Sequence, residues 1–286
     1  MTNGITSRMN NPATDTTRFF KLEALGNDFV LIDARSTPFA PTPETVAGLA
    51  ERRTGVGFDQ LLILGSDGDS VFARVDIFNA DGSRAEQCGN GMRAIAAWLD
   101  RGGELLPGLT LGTPAGPVEL ARHVDGGYTA VLPGPRALAP EALDLDPPNL
   151  PGDPVDWALV SLGNPHLIMK FEQAPAPADL ARIVELLDKG AWRGRVNIGL
   201  MHIDSDNRAT LRVHERGAGP TLACGSAACA AAWALRGQRP SAAPVVVEQP
   251  GGTLVVDLAS RPGFAVTTGP AAVVFEGMIF FEGPLA

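Results

Sequence analysis

The sequence predicts an α+β molecule of two pseudo-symmetric lobes, each a curved, mostly antiparallel sheet wrapped around a central helix, facing one another across a cleft. Three observations predict it. A cysteine stands where a polar, glycine-bearing loop becomes a helix, at Gln87-Cys88-Gly89-Asn90-Gly91, and the same device recurs at Ala223-Cys224-Gly225-Ser226. The order of strands, turns and helical stripes that leads to the first cysteine is repeated before the second. Between these landmarks lie many short apolar runs broken by turn residues, as in sheet.

The N-terminal stretch, residues 1–17, has no apolar core and reads as a disordered leader rather than a secretory signal. Phe19-Phe20-Lys21-Leu22 opens a strand that meets Gly26-Asn27-Asp28-Phe29 and the apolar Val30-Leu31-Ile32. A helix follows, because Thr42 can cap it, Pro43 suits its first turn and Glu44 its dipole, while Val46, Leu49 and Ala50 form a stripe. A glycine turn over residues 54–60 enters the strand Leu61-Leu62-Ile63, and a strand over 71–78 ends in the turn Asn79-Ala80-Asp81-Gly82-Ser83. After Cys88, the residues Met92, Ile95, Ala96 and Leu99 share one helical face.

Short strands and a Pro/Gly/Leu-rich connection, about 107–155, separate this round from the next. Gly163-Asn164-Pro165-His166 then precedes Leu167-Ile168-Met169, and Leu180, Ile183, Val184 and Leu187 repeat the stripe. Arg195-Val196-Asn197-Ile198-Gly199 stands where the first glycine turn stood. The strand over 210–213 runs through Glu215-Arg216-Gly217-Ala218-Gly219 to Cys224 and an alanine-rich helix over 227–235. Superposing Cys88 on Cys224 pairs Gly89 with Gly225, Ala94 with Ala230, Ala96 with Ala232 and Leu99 with Leu235.

Composition bounds the function. A net charge of −9 and a pI near 4.9 argue against a nucleic-acid or anionic-membrane partner. No run reaches the roughly 20 apolar residues of a membrane span. Three cysteines are too few for a disulfide scaffold and fit a reduced, cytoplasmic setting.

The chemistry follows from where two of those cysteines stand. A helix N-terminus presents unpaired N–H groups and about half a positive charge, which is expected to lower a thiol below its free pKa of about 8.5. The same N–H groups can hold a carboxylate or a developing oxyanion. Two such thiols on one cleft can take a proton from one face of a carbon and return one to the other, inverting a stereocentre. Pyridoxal chemistry needs a Schiff-base lysine, and Lys21, Lys170 and Lys189 stand in no cofactor motif. No phosphate loop and no metal-like Cys/His spacing appears, so neither cofactor nor metal is expected. Cys229, inside the alanine-rich run, reads as a small buried hydrophobe. His123, His202 and His214 carry no assigned role.

The motif set resembles the diaminopimelate epimerases. It comprises Gly-Asn-Asp-Phe at 26–29, Gly-Val-Gly-Phe-Asp-Gln at 55–60, Phe-Asn-Ala-Asp-Gly-Ser at 78–83 and Gln-Cys-Gly-Asn-Gly at 87–91. In the second half it comprises Gly-Asn-Pro-His at 163–166, Arg-Val-Asn-Ile-Gly at 195–199, Glu-Arg-Gly-Ala-Gly at 215–219 and Ala-Cys-Gly-Ser at 223–226. The likeness runs from about Phe19 to the C-terminus, in the family's order. It implies a cofactor-independent epimerase that interconverts LL- and meso-2,6-diaminopimelate in lysine and peptidoglycan-precursor synthesis.

By the same resemblance Cys88 and Cys224 are the two acid/base thiols. The N–H groups of Gly89, Asn90, Gly225 and Ser226 hold the reacting carboxylate, and Asn27, Gln60, Asn79, Asn164, Asn197, Glu215 and Arg216 line the substrate site. His166 and Glu215 match positions that modulate the thiol pKa values. Phe275 falls where relatives carry a tyrosine at a dimer interface, so a homodimer is implied. The family's last strand returns to the first domain, which gives a first lobe of 18–132 plus 272–286 and a second of 133–271, with the active site in the cleft between them. The rivals are a proline racemase-like or hydroxyproline epimerase-like enzyme, a phenazine-pathway-type isomerase, a thiol-based redox or metal protein, and a non-catalytic binding relative, against which the two intact cysteine loops argue.

Overall fold

A computed structural model describes residues 16–66, 71–145, 150–238 and 241–281. The first lobe opens with the hairpin β1 (Thr16–Ala24) and β2 (Asn27–Ala34), whose two turn residues, Leu25 and Gly26, both have positive φ, 57° and 78°. Helix α1 (Pro43–Ala50), capped by the Thr42 hydroxyl accepting the Thr45 N–H at 3.2 Å, carries the chain over to β3 (Gln60–Gly65), parallel to β2. Then come β4 (Ala73–Asn79), the short β5 (Arg84–Ala85), and α2 (Gly89–Arg101), followed by β6 (Thr110–Thr113), β7 (Gly116–Arg122) and β8 (Tyr128–Pro133).

The second lobe repeats this plan strand for strand. After β9 (Arg136–Ala137) come β10 (Asp156–Ser161), β11 (Pro165–Phe171), α3 (Pro177–Leu187), β12 (Asn197–Ser205), β13 (Arg208–Glu215), β14 (Gly219–Thr221) and α4 (Gly225–Gln238). It closes with β15 (Val245–Gln249), β16 (Gly252–Asp257) and β17 (Phe264–Gly269). The parallel pairs β2–β3 and β4–β6 have their counterparts in β11–β12 and β13–β15; the remaining pairings are antiparallel. Strand β18 (Ala272–Phe280) crosses back and pairs with β1. The two sheets are joined where β8 pairs with β17.

Strand β1 begins at Thr16, two residues inside the stretch read as leader. Thr16 and Thr17 face Phe280 and Ile279 of β18, a pairing partner more than 260 residues away that local composition does not reveal. Residues 1–15 and 282–286, assigned to the leader and the first lobe, lie outside the described residues.

Apolar spacing explains why α2 and α4 become the central helices. Met92, Ile95, Ala96 and Leu99 are fully buried against the inner face of the first lobe's curved sheet. In α4, Ala227, Ala228, Cys229, Ala230, Ala231 and Ala232 are all buried, and such small side chains let the second sheet close tightly around the helix. Cys229 behaves as the packed hydrophobe its setting suggests. The outer helices use their stripes against the other face: Leu180, Ile183, Val184 and Leu187 of α3 bury with Leu167, Met169 and Trp192. Among the described residues no helix is long and apolar enough to cross a membrane.

One residue breaks the division into two cores. Leu25, from the first lobe's hairpin turn, is 2 % exposed and packs into the second lobe's core with Val213, Ala223 and Leu254. A leucine with φ of 57° holds a backbone conformation that L side chains disfavour by about 1–2 kcal/mol, and its burial in the opposite lobe offsets that cost.

Candidate active site

Parallel and antiparallel pairing bring the polar candidates to one sheet edge. Because β2 and β3 run in the same direction and β4 runs against them, the starts of β2 and β3 and the end of β4 lie side by side. Those positions are Asn27, Gln60 and Asn79. In the second lobe the same edge carries Asn164, just before β11, Asn197 at the start of β12 and Glu215 at the end of β13. Each cysteine then follows across a short strand, β5 or β14, and immediately precedes its helix.

The two helix N-termini meet. A Cβ on Gly225 would lie 3.7 Å from the Asn90 nitrogen and 3.8 Å from the Gly89 Cα, so the first residues of α2 and α4 are in van der Waals reach. The Asn90 amide spans the junction, donating to the Ala223 carbonyl at 3.4 Å and to Asn27 Oδ1 at 3.5 Å. Cys88 and Cys224 each stand one residue before these meeting helix starts, one from either lobe.

Each sulfur is held by its own helix start. Cys88 is the N-cap of α2, and its Sγ accepts the Gly91 N–H at 3.2 Å. Cys224 Sγ lies 3.4 Å from the Ser226 hydroxyl, and the Glu215 carboxylate is close enough to act on its charge, with Oε1 accepting the Thr221 hydroxyl at 2.7 Å. The Cys224 backbone N–H donates to Gln249 Oε1 at 2.9 Å.

Burial reverses the expected thiol chemistry. It pushes the Cys88 thiol up to about 12, overcoming the Gly91 and Asn90 N–H groups and the Arg93 charge, which pull the other way. Burial likewise raises Cys224 well above the ordinary range, and the neighbouring Glu215 carboxylate adds to the rise. The helix-start N–H groups act in the expected sense, yet desolvation of the thiolate outweighs them. Glu215 is itself raised, again by burial first. His166 is driven down to about 3 by burial, with the Arg216 charge adding to the fall, so its ring is neutral. Its Nε2 bonds Asn164 Oδ1 at 3.0 Å, and its buried Nδ1 has no partner among the described residues.

The remaining amides are oriented from behind. Asp59 Oδ2 accepts the Asn27 amide at 2.6 Å, and Arg52 ties Asp59 to Asp28, which also pairs with Lys21. Gln60 Nε2 donates to Asn79 Oδ1 at 2.9 Å, and Asn79 in turn donates to Ser83. Asn197, 5 % exposed, accepts the Arg216 backbone N–H at 2.9 Å. The Arg216 residue is exposed at the rim. Among the described residues Gln60 Oε1 is left as an acceptor and the Asn164 and Asn197 amides as donors, while Asn27 Oδ1 is shared with Asn90. That mixture suits a ligand carrying both ammonium and carboxylate groups.

Asn27, Gly89, Asn90 and Gly225 meet at this junction, the other amide and carboxylate candidates lie along the strand ends that lead to the two cysteines, and Phe275 stands apart. Phe275 lies on β18, half exposed, with its ring edge-on to Phe19 at 6.0 Å. Sequence reasoning missed Gln249 and Arg93. It also missed a second internal repeat: Thr113-Pro114-Ala115-Gly116 matches Gln249-Pro250-Gly251-Gly252. In the first of these turns the Ala115 N–H donates to the Glu86 carbonyl, and in the second the Gly251 N–H donates to the Leu222 carbonyl. Each turn thus pins the residue two places before its cysteine.

The family model for diaminopimelate epimerase matches residues 19–138 and 158–274. A diaminopimelate epimerase of Thioalkalivibrio sulfidiphilus is 39 % identical, over 92 % of this chain and 98 % of its own. An O-ureido-serine racemase of Streptomyces lavendulae is also 39 % identical, over 94 % of this chain and 97 % of its own. Among solved structures, a hydroxyproline epimerase from Agrobacterium vitis superposes with a TM-score of 0.67 at 16 % identity, covering 94 % of this chain and 93 % of that one. A PhzF-family phenazine biosynthesis protein of Bacillus anthracis superposes with a TM-score of 0.64 at 18 % identity, covering 93 % and 100 %. These last two are likenesses of fold.

Proposed function

The chain belongs to the diaminopimelate epimerase family and is an isomerase, and from that premise we propose that it interconverts LL- and meso-2,6-diaminopimelate with two thiols and no cofactor. The observation that carries this reading is the abutment of the α2 and α4 N-termini, each preceded by a cysteine. One thiolate removes the α-proton, and the electron pair left on carbon delocalises into the carboxylate. The N–H groups of Gly89, Asn90, Gly225 and Ser226 are placed to receive that charge. The opposing thiol delivers its proton to the other face, so configuration inverts and the two sulfurs exchange protonation states.

Glu215, whose carboxylate acts on the Cys224 thiol, is the group assigned to relay that sulfur's proton. His166, neutral and with an unpartnered Nδ1, is assigned the tuning of the pair from the second lobe. Burial makes a thiolate costly; an incoming ammonium lowers that cost at the moment the base is needed. At the distal end Asn27, Gln60, Asn79, Asn164, Asn197 and Arg216 read the second amino-acid head.

The test is isotopic. In heavy water, metal- and pyridoxal-free protein given LL- or meso-diaminopimelate is expected to introduce one deuterium at the reacting carbon as configuration changes. Recovery of both isomers unlabelled from an excess of folded protein refutes the assignment. The equal similarity to an O-ureido-serine racemase sustains a second reading, in which the same thiols serve an amino acid with an uncharged distal end. O-ureido-serine is therefore run beside diaminopimelate, and Arg216 decides between them. Arg216→Ala is expected to raise the KM for diaminopimelate about 10- to 100-fold, the worth of a charge-assisted hydrogen bond. An unchanged KM removes that role from Arg216.

Strand β18 supports a homodimer. Val274, Phe275, Met278 and Phe280 stand 47–70 % exposed along it, a large apolar surface for one strand. Sedimentation at micromolar concentration is expected to give twice the 29.9 kDa chain mass, and Phe275→Asp to give the monomer. A wild-type monomer under those conditions contradicts it. Three free thiols suit the reducing cytoplasm to which we assign the protein.

A further inference from the structure

Arg93 sits in the first turns of α2, fully buried, and among the described residues no carboxylate pairs with it. Its guanidinium is spent on neutral groups. Nη2 donates to Asn90 Oδ1 at 2.5 Å, Nη1 to the Gly89 carbonyl at 3.4 Å and to the Thr267 hydroxyl of β17 at 3.3 Å, and Nε has no partner. β17 approaches closely enough that a Cβ on Gly269 would lie 3.5 Å from that Nε.

This is a costly arrangement twice over. A buried cation without a counterion is heavily penalised by lost solvation. A cation near a helix N-terminus also opposes the macrodipole, which favours negative charge there. Burial accordingly pulls the Arg93 guanidinium down to about 10, while the thiols of Cys88 and Cys229 act in the opposite sense. Those two thiols, one capping α2 and one on α4, are the titratable groups that face it. From β17 and β8 come the Thr267 hydroxyl and backbone carbonyls, and the Glu215 carboxylate reaches Cys88 from the second lobe.

The same residue is a mechanical link. Arg93 holds Asn90 by its oxygen, and the Asn90 nitrogen reaches the Ala223 carbonyl in the opposite lobe. Through Thr267 the guanidinium also grips the strand pair that joins the two sheets. The chain of bonds from the lobe junction to the Cys224 loop therefore runs through two side chains, Arg93 and Asn90.

We propose that Arg93 is the buried positioning cation of the epimerisation: its fork sets the spacing of the two cysteine loops through Asn90, and its unneutralised charge receives the negative charge that forms at the start of α2 as thiolate and substrate carboxylate. This deepens the proposed function and rests on it for its kinetic arm. The second arm, alkylation of Cys88 by iodoacetamide against pH, is read by mass spectrometry without substrate and stands whether or not diaminopimelate is turned over.

The variants separate charge from shape. Between about pH 7 and 9, where Arg93 is charged and Cys88 is mostly thiol, the alkylation rate follows the Cys88 thiolate fraction. Arg93→Gln is expected to slow alkylation of Cys88 there about tenfold or more and to lower kcat about 100-fold, with KM within about threefold. Arg93→Lys keeps the charge and loses the fork, so its alkylation rate stays within about twofold while kcat falls about tenfold. Thr267→Val, which removes one bond and no charge, is expected to lower kcat without changing the alkylation rate. A folded Arg93→Gln with wild-type alkylation rate and kcat overturns the proposal. Should Arg93→Gln fail to fold, the lysine variant decides alone: full kcat removes the positioning role, and alkylation slowed about tenfold removes the electrostatic one.

Discussion

Cys88→Ala and Cys224→Ala are each expected to abolish net epimerisation, by about 10³-fold or more, the scale of a lost general acid or base. Both variants should fold, because alanine fills most of each thiol's space and the helices they precede are held by buried apolar faces. The informative readout is exchange without inversion. With one sulfur gone, the remaining thiolate still reaches the α-hydrogen of one stereoisomer and can return deuterium to that same face. Cys224→Ala should therefore wash deuterium slowly into one isomer and leave the other untouched, and Cys88→Ala should show the opposite preference. That pattern assigns each sulfur its face. Exchange into both isomers by a single-cysteine variant would contradict opposed thiols and point to one base that reaches both sides.

The asymmetry of the site sharpens the expectation. Cys224 is 5 % exposed and stands under the Glu215 carboxylate and beside the Ser226 hydroxyl, whereas Cys88 is partly exposed and held by backbone N–H groups. Two positions equivalent in the internal repeat thus have different acid–base partners: Asn79 occupies in the first lobe the strand end that Glu215 occupies in the second. A neutral amide cannot accept a proton, so Cys88 has no carboxylate relay of its own. The repeat supplies the geometry, and the departures from it supply the chemistry.

Much of this was legible in the sequence because it is local. Helix starts at Cys88 and Cys224, the stripes of α1, α2 and α3, and the repeated order of strands all follow from spacing and capping, and the structure has them where spacing puts them. Three features were not legible, each for a tertiary reason. The thiol pKa values depend on how completely two lobes close over them, which no local rule contains. Thr16 and Thr17 become strand because β18 returns to pair with them. Arg93 resembles any polar residue of an amphipathic helix until α4 and β17 are packed against it. The Thr113 and Gln249 turns could have been found by extending the cysteine alignment past the helices. They were hidden because alanine and glycine alternate at their third position and the side chains at the first differ.

That third position yields the second large effect. Gly251 has ordinary backbone dihedrals, so alanine there meets no local objection, yet its Cβ would fall 1.8 Å from the Leu25 carbonyl oxygen and 2.7 Å from the Leu25 carbonyl carbon. Both are backbone atoms of the first lobe's hairpin turn, whose side chain is pegged into the second lobe's core, and neither can swing aside. Gly251→Ala must therefore push the lobes apart by more than an ångström at the point beside the Cys224 loop, where Gly251 also bonds Leu222. Misplacing opposed acid and base groups by that distance is expected to lower kcat/KM about 100-fold. Overpacking alone should cost about 1–3 kcal/mol of stability. Gly48→Ala, within α1 and with nothing near its Cβ, is the matched control, expected to leave turnover unchanged and to raise stability by about 0.5–1 kcal/mol. If Gly251→Ala keeps full activity and its melting temperature, the lobes do not close through this contact, and the meeting of the two helix termini needs another cause.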